Sequence, residues 1–106
     1  MAFDYSPLYG TYPSVIKKMP RRQPAQRWDF TSHEFIREWS HDNQEAYIEA
    51  LYAQKGNMPF AITHGLLAQG LNQYPELVQQ AGEVDSVDIF GRSNRCMSWR
   101  RRNGAG

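Results

Sequence analysis

From Phe30 onward the apolar residues of this chain recur every three or four positions, which is the period of amphipathic helices. Thr31 and Glu34 have the spacing of a capping box, and Phe30 and Phe35 stand where a hydrophobic staple would sit on either side of it. A helix is predicted to start there, with Phe35, Ile36 and Trp39 as its apolar side. The polar run from Ser40 to Glu45 interrupts the pattern, and Asp42 and Glu45 repeat the cap-plus-three spacing. A second helix is therefore predicted from near Asn43, with one long helix over 31–55 as the alternative. Tyr47, Ile48, Leu51 and Tyr52 give it an apolar side, Glu45 and Glu49 an outer face, and Gly56 an end.

Pro59 suits the first turn of a third helix. Phe60, His64, Leu67 and Leu71 form one stripe with Ile62 and Leu66 beside it, so most of this helix is expected to be buried. Gly65 and Gly70 would let a neighbouring helix approach closely. Pro75 opens a short fourth helix through Leu77, Val78 and Ala81, closed by Gly82. Two further short helices are predicted to meet at Gly91, with Ser93 or Asn94 capping the second. No alternating strand pattern and no tandem repeat is evident. The expected fold is all-α: a single small domain of five or six short helices over 30–102.

Residues 1–29 break the helical period. Pro7, Pro13, Pro20 and Pro24 preclude a long helix, so this segment is expected to be an extended Pro/Tyr-rich N-terminal arm. Phe3, Tyr5, Leu8, Tyr9 and Tyr12 make it unusually aromatic, suited either to pack along its own domain or to dock in a partner groove. Ile16 to Gln26 reads as a linker, and 103–106 as a C-terminal tail. At 106 residues the chain supports one modest core. The single Cys96 cannot form an internal disulfide, which suits a reducing compartment. No run of apolar residues approaches the ~18 that a membrane span needs. These features predict a cytoplasmic protein of bacterial or viral (phage) origin, with no membrane partner.

A net charge of +1 conceals segregation. Residues 1–30 carry five basic and two acidic residues, 31–88 two basic and nine acidic, and 89–106 five arginines and no acid. The basic ends can present one face to a polyanion, or fold back onto the acidic body and neutralise it. The densest basic stretch is Val84 to Arg102. Gly91, a capping Ser93, the apolar pair Cys96 and Met97, and then Trp99 follow roughly the spacing of a helix-turn-helix. In that arrangement Asn94, Arg95 and Ser98 face base edges, Arg100, Arg101 and Arg102 lie against phosphates, and Arg92 joins the contact. Lys17, Lys18, Arg21 and Arg22 of the arm add phosphate contacts. Glu83, Asp85 and Asp88 count against this, because carboxylates on the first helix would repel the backbone. The plainer interpretation is a surface helix with a solvated basic end.

Candidate chemistry is mostly lacking. His33, His41 and His64 have no metal-ligand spacing with one another or with Cys96, and His64 on an apolar stripe reads as a core histidine bonded to a neighbour. Cys96 has no base at a recognisable spacing, and the glycines are too scattered to cradle phosphate. No metal, cofactor or enzymatic activity is predicted. The first expectation for function is a small DNA-binding accessory or regulatory protein with a helix-turn-helix-like basic C-terminal element. The alternative is a protein-binding module or inhibitor that uses Glu38, Glu45 and Glu49 to occupy a basic, even nucleic-acid-binding, site on a partner protein. A third possibility is a homo-oligomer assembled by swapping the arm.

Overall fold

The computed structural model describes residues 3–22 and 25–102. It has a mixed α/β architecture and so corrects the all-α expectation. Among the described residues there are five α-helices, one 3-10 turn and a three-stranded antiparallel sheet. In chain order these are α1 (Ser6–Tyr9), α2 (Tyr12–Ile16), β1 (Phe30–Thr31), α3 (Ser32–Asp42), α4 (Gln44–Ala53), α5 (Pro59–Gln69), the 3-10 turn Gly70–Gln73, β2 (Val78–Val87) and β3 (Ser93–Arg101).

The arm is neither extended nor free. Pro7 and Pro13 open α1 and α2 instead of breaking them, because proline costs nothing in a first turn whose N–H groups are unpaired anyway. Leu8, Tyr12, Val15, Ile16 and Met19 are buried in the same core as Phe35, Trp39, Leu67 and Trp99. The Tyr12 ring lies 4.7 Å from that of Phe35, and its hydroxyl donates to Leu67 O at 2.6 Å. Burial pushes this phenol up from its ordinary pKa. Trp39 Nε1 donates to Thr11 Oγ1 at 2.8 Å. The segment expected to be a linker therefore begins inside the core, at Ile16 and Met19.

The helix punctuation of 30–56 matches the structure. Thr31 and Glu34 form a reciprocal capping box at the start of α3, with the Phe30 and Phe35 rings 6.3 Å apart. The chain breaks at Asn43, which ends α3 and precedes α4, so 31–55 contains two helices. Asp42 does not cap α4; its carboxylate is taken by Lys18 of the arm. Gly56 adopts a φ of +83° just beyond α4.

From residue 75 the prediction fails. The fourth helix and the helical pair around Gly91 are instead a long hairpin, β2 and β3, with β3 central between β1 and β2. Gly91 does take the left-handed conformation, at φ +80°, but it closes a three-residue hairpin loop. Gly91 N donates to Asp88 O at 3.0 Å and Asp88 N to Arg92 O at 2.8 Å, the type I turn plus left-handed residue common in such loops. Gly82, at φ +103°, sits beside a register shift between Gln80 and Gly82, so Ala81 is an extra residue in β2. That bulge flips the side-chain alternation midway and hides the period of two from a reading of the sequence. A second correction concerns α5, where only Thr63 and Leu67 are buried. α3, α4 and the arm cover one flank of that helix and leave Phe60, Ala61, Ile62, Gly65 and Gln69 exposed.

Candidate nucleic-acid interface

The residues expected to contact DNA fall at two separate ends of β3. At the end nearest the hairpin loop, Asp88 organises the chain. Its Oδ1 accepts from the backbone N–H of Arg92 at 3.0 Å and of Phe90 at 2.9 Å, and its Oδ2 accepts from Asn94 Nδ2 at 3.0 Å. These donors, led by Arg92 N–H, hold the carboxyl below the ordinary carboxylate range. Asn94 Oδ1 lies 2.7 Å from His33 Nε2 on α3, and Arg37 Nη2 donates to Val87 O at 3.2 Å. Arg95 bonds to Glu83 O at 3.2 Å and lies 3.7 Å from Asp85. Asn94 and Arg95 are thus occupied in holding the hairpin, while Arg92 gives its backbone to the turn and leaves its side chain exposed. Ser98 is buried and donates to Gly82 O at 2.7 Å. It cannot meet a base edge.

At the other end β3 meets the arm. Buried Asp29 joins the two: its Oδ1 accepts from Arg22 N at 2.9 Å and its Oδ2 from Arg101 N at 2.7 Å. Arg101 Nη1 donates to Met19 O at 2.8 Å, and Arg100 Nη2 to Gln26 O at 2.9 Å. Arg102 reaches Gln79 Oε1 at 3.4 Å. Arg101 has its pKa lowered, first by burial and then by the neighbouring Arg21, with Asp29 opposing; a guanidinium remains charged all the same. Arg22 stacks over Trp28 at 5.0 Å and pairs with Glu34 at 2.7 Å. Lys17, Arg21, Arg27, Arg100 and Arg102 are exposed. Arginines remote in sequence thereby share one corner of the molecule.

The rest of the basic arm folds back onto the acidic body. Lys18 bonds to Asp42 and lies 3.4 Å from Glu38, so Glu38 is partly neutralised. Glu45 and Glu49 stay exposed on α4 beside Ile48 and Tyr52, which are 62% and 71% exposed.

Between α3, α5 and the hairpin lies a cleft of about 570 Å³. Ile36, Met97 and Trp99 contribute apolar lining, with Phe60 and Phe90 in edge-to-face contact, ring centres 4.8 Å apart at 89°. His64 lines it too, its ring stacked on Tyr47 and its Nε2 2.7 Å from the Tyr47 hydroxyl. Burial, reinforced by nearby His33 and opposed by Asp88, lowers this imidazole's pKa from its ordinary value. Cys96 also faces the cleft, but among the described residues no hydrogen bond joins it to either imidazole, and no three His, Cys, Asp or Glu side chains cluster as metal ligands. No helix of the described residues is long and apolar enough to cross a membrane.

No protein-family model matches this chain, and neither a curated protein nor a solved structure matches it.

Sequence reasoning missed the cleft residues His33, Phe60, Asn72, Gln80 and Phe90. One signal was available. From Pro59 to Gln69 there is no Asp, Glu, Lys or Arg, which is unusual for a helix with half its residues at the surface.

Proposed function

We propose that this protein binds DNA through the phosphate backbone, using the corner where the arm meets the end of β3. The observation that carries it is the meeting of Arg100, Arg101 and Arg102 with Arg21, Arg22 and Arg27. Asp29 and the backbone acceptors at Met19 and Gln26 hold the two basic segments together. Folding like-charged groups into one place is costly unless an anion is to be met there. Trp28 adds an aromatic surface beside them. This places the contact on strand ends and a loop, with phosphate attraction and no helix in a groove. The protein acts as a binding module and not an enzyme, and its free Cys96 suits the reducing cytoplasm.

The test is an anisotropy titration with a generic duplex. About four phosphate contacts predict an affinity falling roughly 100-fold between about 50 mM and about 200 mM salt. The double variant Arg100→Glu, Arg102→Glu should weaken binding at least about tenfold and flatten the salt dependence. A flat titration of the parent chain at the lower salt would retire the DNA hypothesis.

A second interpretation rests on α4, where Glu45 and Glu49 flank exposed Ile48 and Tyr52. That surface suits a protein partner with a basic, partly apolar face. It is separated from the first by Glu45→Lys with Glu49→Lys, which would abolish such a complex and leave DNA binding intact or slightly improved.

A further inference from the structure

The cleft and the basic corner are not separate features. A smaller recess of about 210 Å³ shares Asn72, Gln80 and Trp99 with the main cleft and ends at Gln79 and Arg102. The two recesses therefore adjoin along Asn72, Gln80 and Trp99, with the Phe60–Phe90 pair in the first and Arg102 at the far end of the second. We propose that this path receives a single strand: an unpaired nucleobase in the cleft, with its phosphates leading toward Arg102 and Arg100. The inference rests on the DNA-binding hypothesis above and adds which form of nucleic acid the site prefers.

Four properties of the cleft favour a base over other occupants. Its volume lies within the range of small-ligand sites. Phe60 and Phe90 are 42% and 56% exposed although they touch each other, and rings meeting edge to face leave a flat surface free, on which any base can stack. The polar lining at the far end is neutral amide, with Gln80 Nε2 donating to Asn72 Oδ1 at 2.9 Å and leaving further amide donors and acceptors for a base edge. The carboxylate at the near end, Asp88, already holds three donors, and Arg95 stands beside it in the lining. The side of the cleft that opens onto cations is the side a phosphate must follow. An uncharged apolar peptide would gain nothing from Arg102, and a double helix cannot place a base inside.

The experiment compares an oligothymidylate of about a dozen nucleotides with a duplex of similar length, by anisotropy at low salt. Parent chain, Phe90→Ala and Gly65→Leu are each titrated with both. Nothing lies within 4 Å of a Cβ built at Gly65, and Gly65 lines the cleft, so a leucine there projects from open space toward the cleft and favours the helix; it guards against a folding failure of the phenylalanine variant. The expected result is single-strand affinity at least about tenfold above duplex, with about a tenfold loss for oligothymidylate in either variant and no change for duplex. Equal affinity for both forms, or equal losses on both, would overturn the cleft's role while leaving the phosphate-binding corner standing. Failure of both to bind the parent chain would sink the two together.

Discussion

The two halves of β3 belong to the same strand and live in different surroundings. Ser98 to Arg101 has β1 on one side and β2 on the other at Ser98 and Trp99, and Trp99 is 2% exposed with its Nε1 bonded to Ser32 Oγ at 2.9 Å. Ser93 to Met97 pairs with β2 alone. It is tied back to α3 by side chains, through Ser32 to the carbonyl of Met97 and His33 to Asn94, and has the cleft beneath it. One half is held by burial, the other by a few side-chain hydrogen bonds, each contributing about 1 kcal/mol. The physical lesson is a division of labour within one element: the anchored half fixes the basic corner, and the loosely held half leaves a cavity accessible.

The largest effect expected is at the anchored half. Trp99→Ala should cost about 3–5 kcal/mol of stability, the usual price of removing a buried aromatic, and leave Ser32 without its indole donor. Met97→Ala, one pair of residues nearer the loop and only partly buried, should cost about a third as much. Urea denaturation followed by far-ultraviolet circular dichroism measures both. Equal losses would show that the two halves are equally packed and would remove the contrast.

The same contrast runs through α5 and the turn after it, where two glycines face opposite environments. A Cβ at Gly70 would lie 2.3 Å from Tyr9 Cε1 and 2.9 Å from Tyr12 Cε2. Neither ring is free to move, since their hydroxyls are bonded to Leu66 O and Leu67 O. Gly70→Ala should therefore cost about 1–3 kcal/mol through overpacking. At Gly65, which faces open space, alanine should be neutral or stabilise by up to about 1 kcal/mol through helix propensity. Thermal melting of the two variants compares them directly. A harmless Gly70→Ala would mean that the arm yields easily, contrary to its buried tyrosines.

What was legible in the sequence tracks where local chemistry decides structure. The capping box at Thr31 and Glu34, the break at Asn43 and the left-handed glycines at 56 and 91 depend on a few neighbouring residues, and each appears where expected. The arm and the hairpin depend on distant partners. Prolines 7 and 13 read as breakers in the sequence because nothing local reveals that each lies in a first helical turn. The hairpin reads as helical in the sequence because the bulge at Ala81 disrupts alternation, and Asp88 with Gly91 fits a hairpin loop as well as a helix end. For the candidate site, the charge segregation was legible, and its fold-back reading is seen at Lys18 and Arg22, which pair with Asp42, Glu38 and Glu34; that Arg22 also stands beside Arg100, Arg101 and Arg102 was not legible, because Asp29 joins the two segments across the fold. The cleft could not be read, because its two walls meet only through strand register.

The smallest expected effect is a dependence on acidity that separates the cleft wall from the hairpin loop. His64 has its pKa lowered in the fold because burial disfavours its charged form, with His33 adding to the effect and Asp88 opposing it. With its folded pKa below the unfolded value of about 6.5, the unfolded chain binds the extra proton first, so stability is constant above that value and falls as pH drops below it. Asp88, depressed in the fold by the Arg92, Phe90 and Asn94 donors, acts in a lower window: its contribution is present above the unfolded carboxylate value of about 3.9 and is lost as pH falls through its folded value. Urea midpoints at pH about 7.5 and about 5.5 isolate the first window. The parent chain should lose stability between them, and His64→Gln should lose less, the difference isolating His64. If parent and variant respond equally, His64 takes up its proton in the fold without cost, and the cleft wall must then be as loosely held as the loop above it.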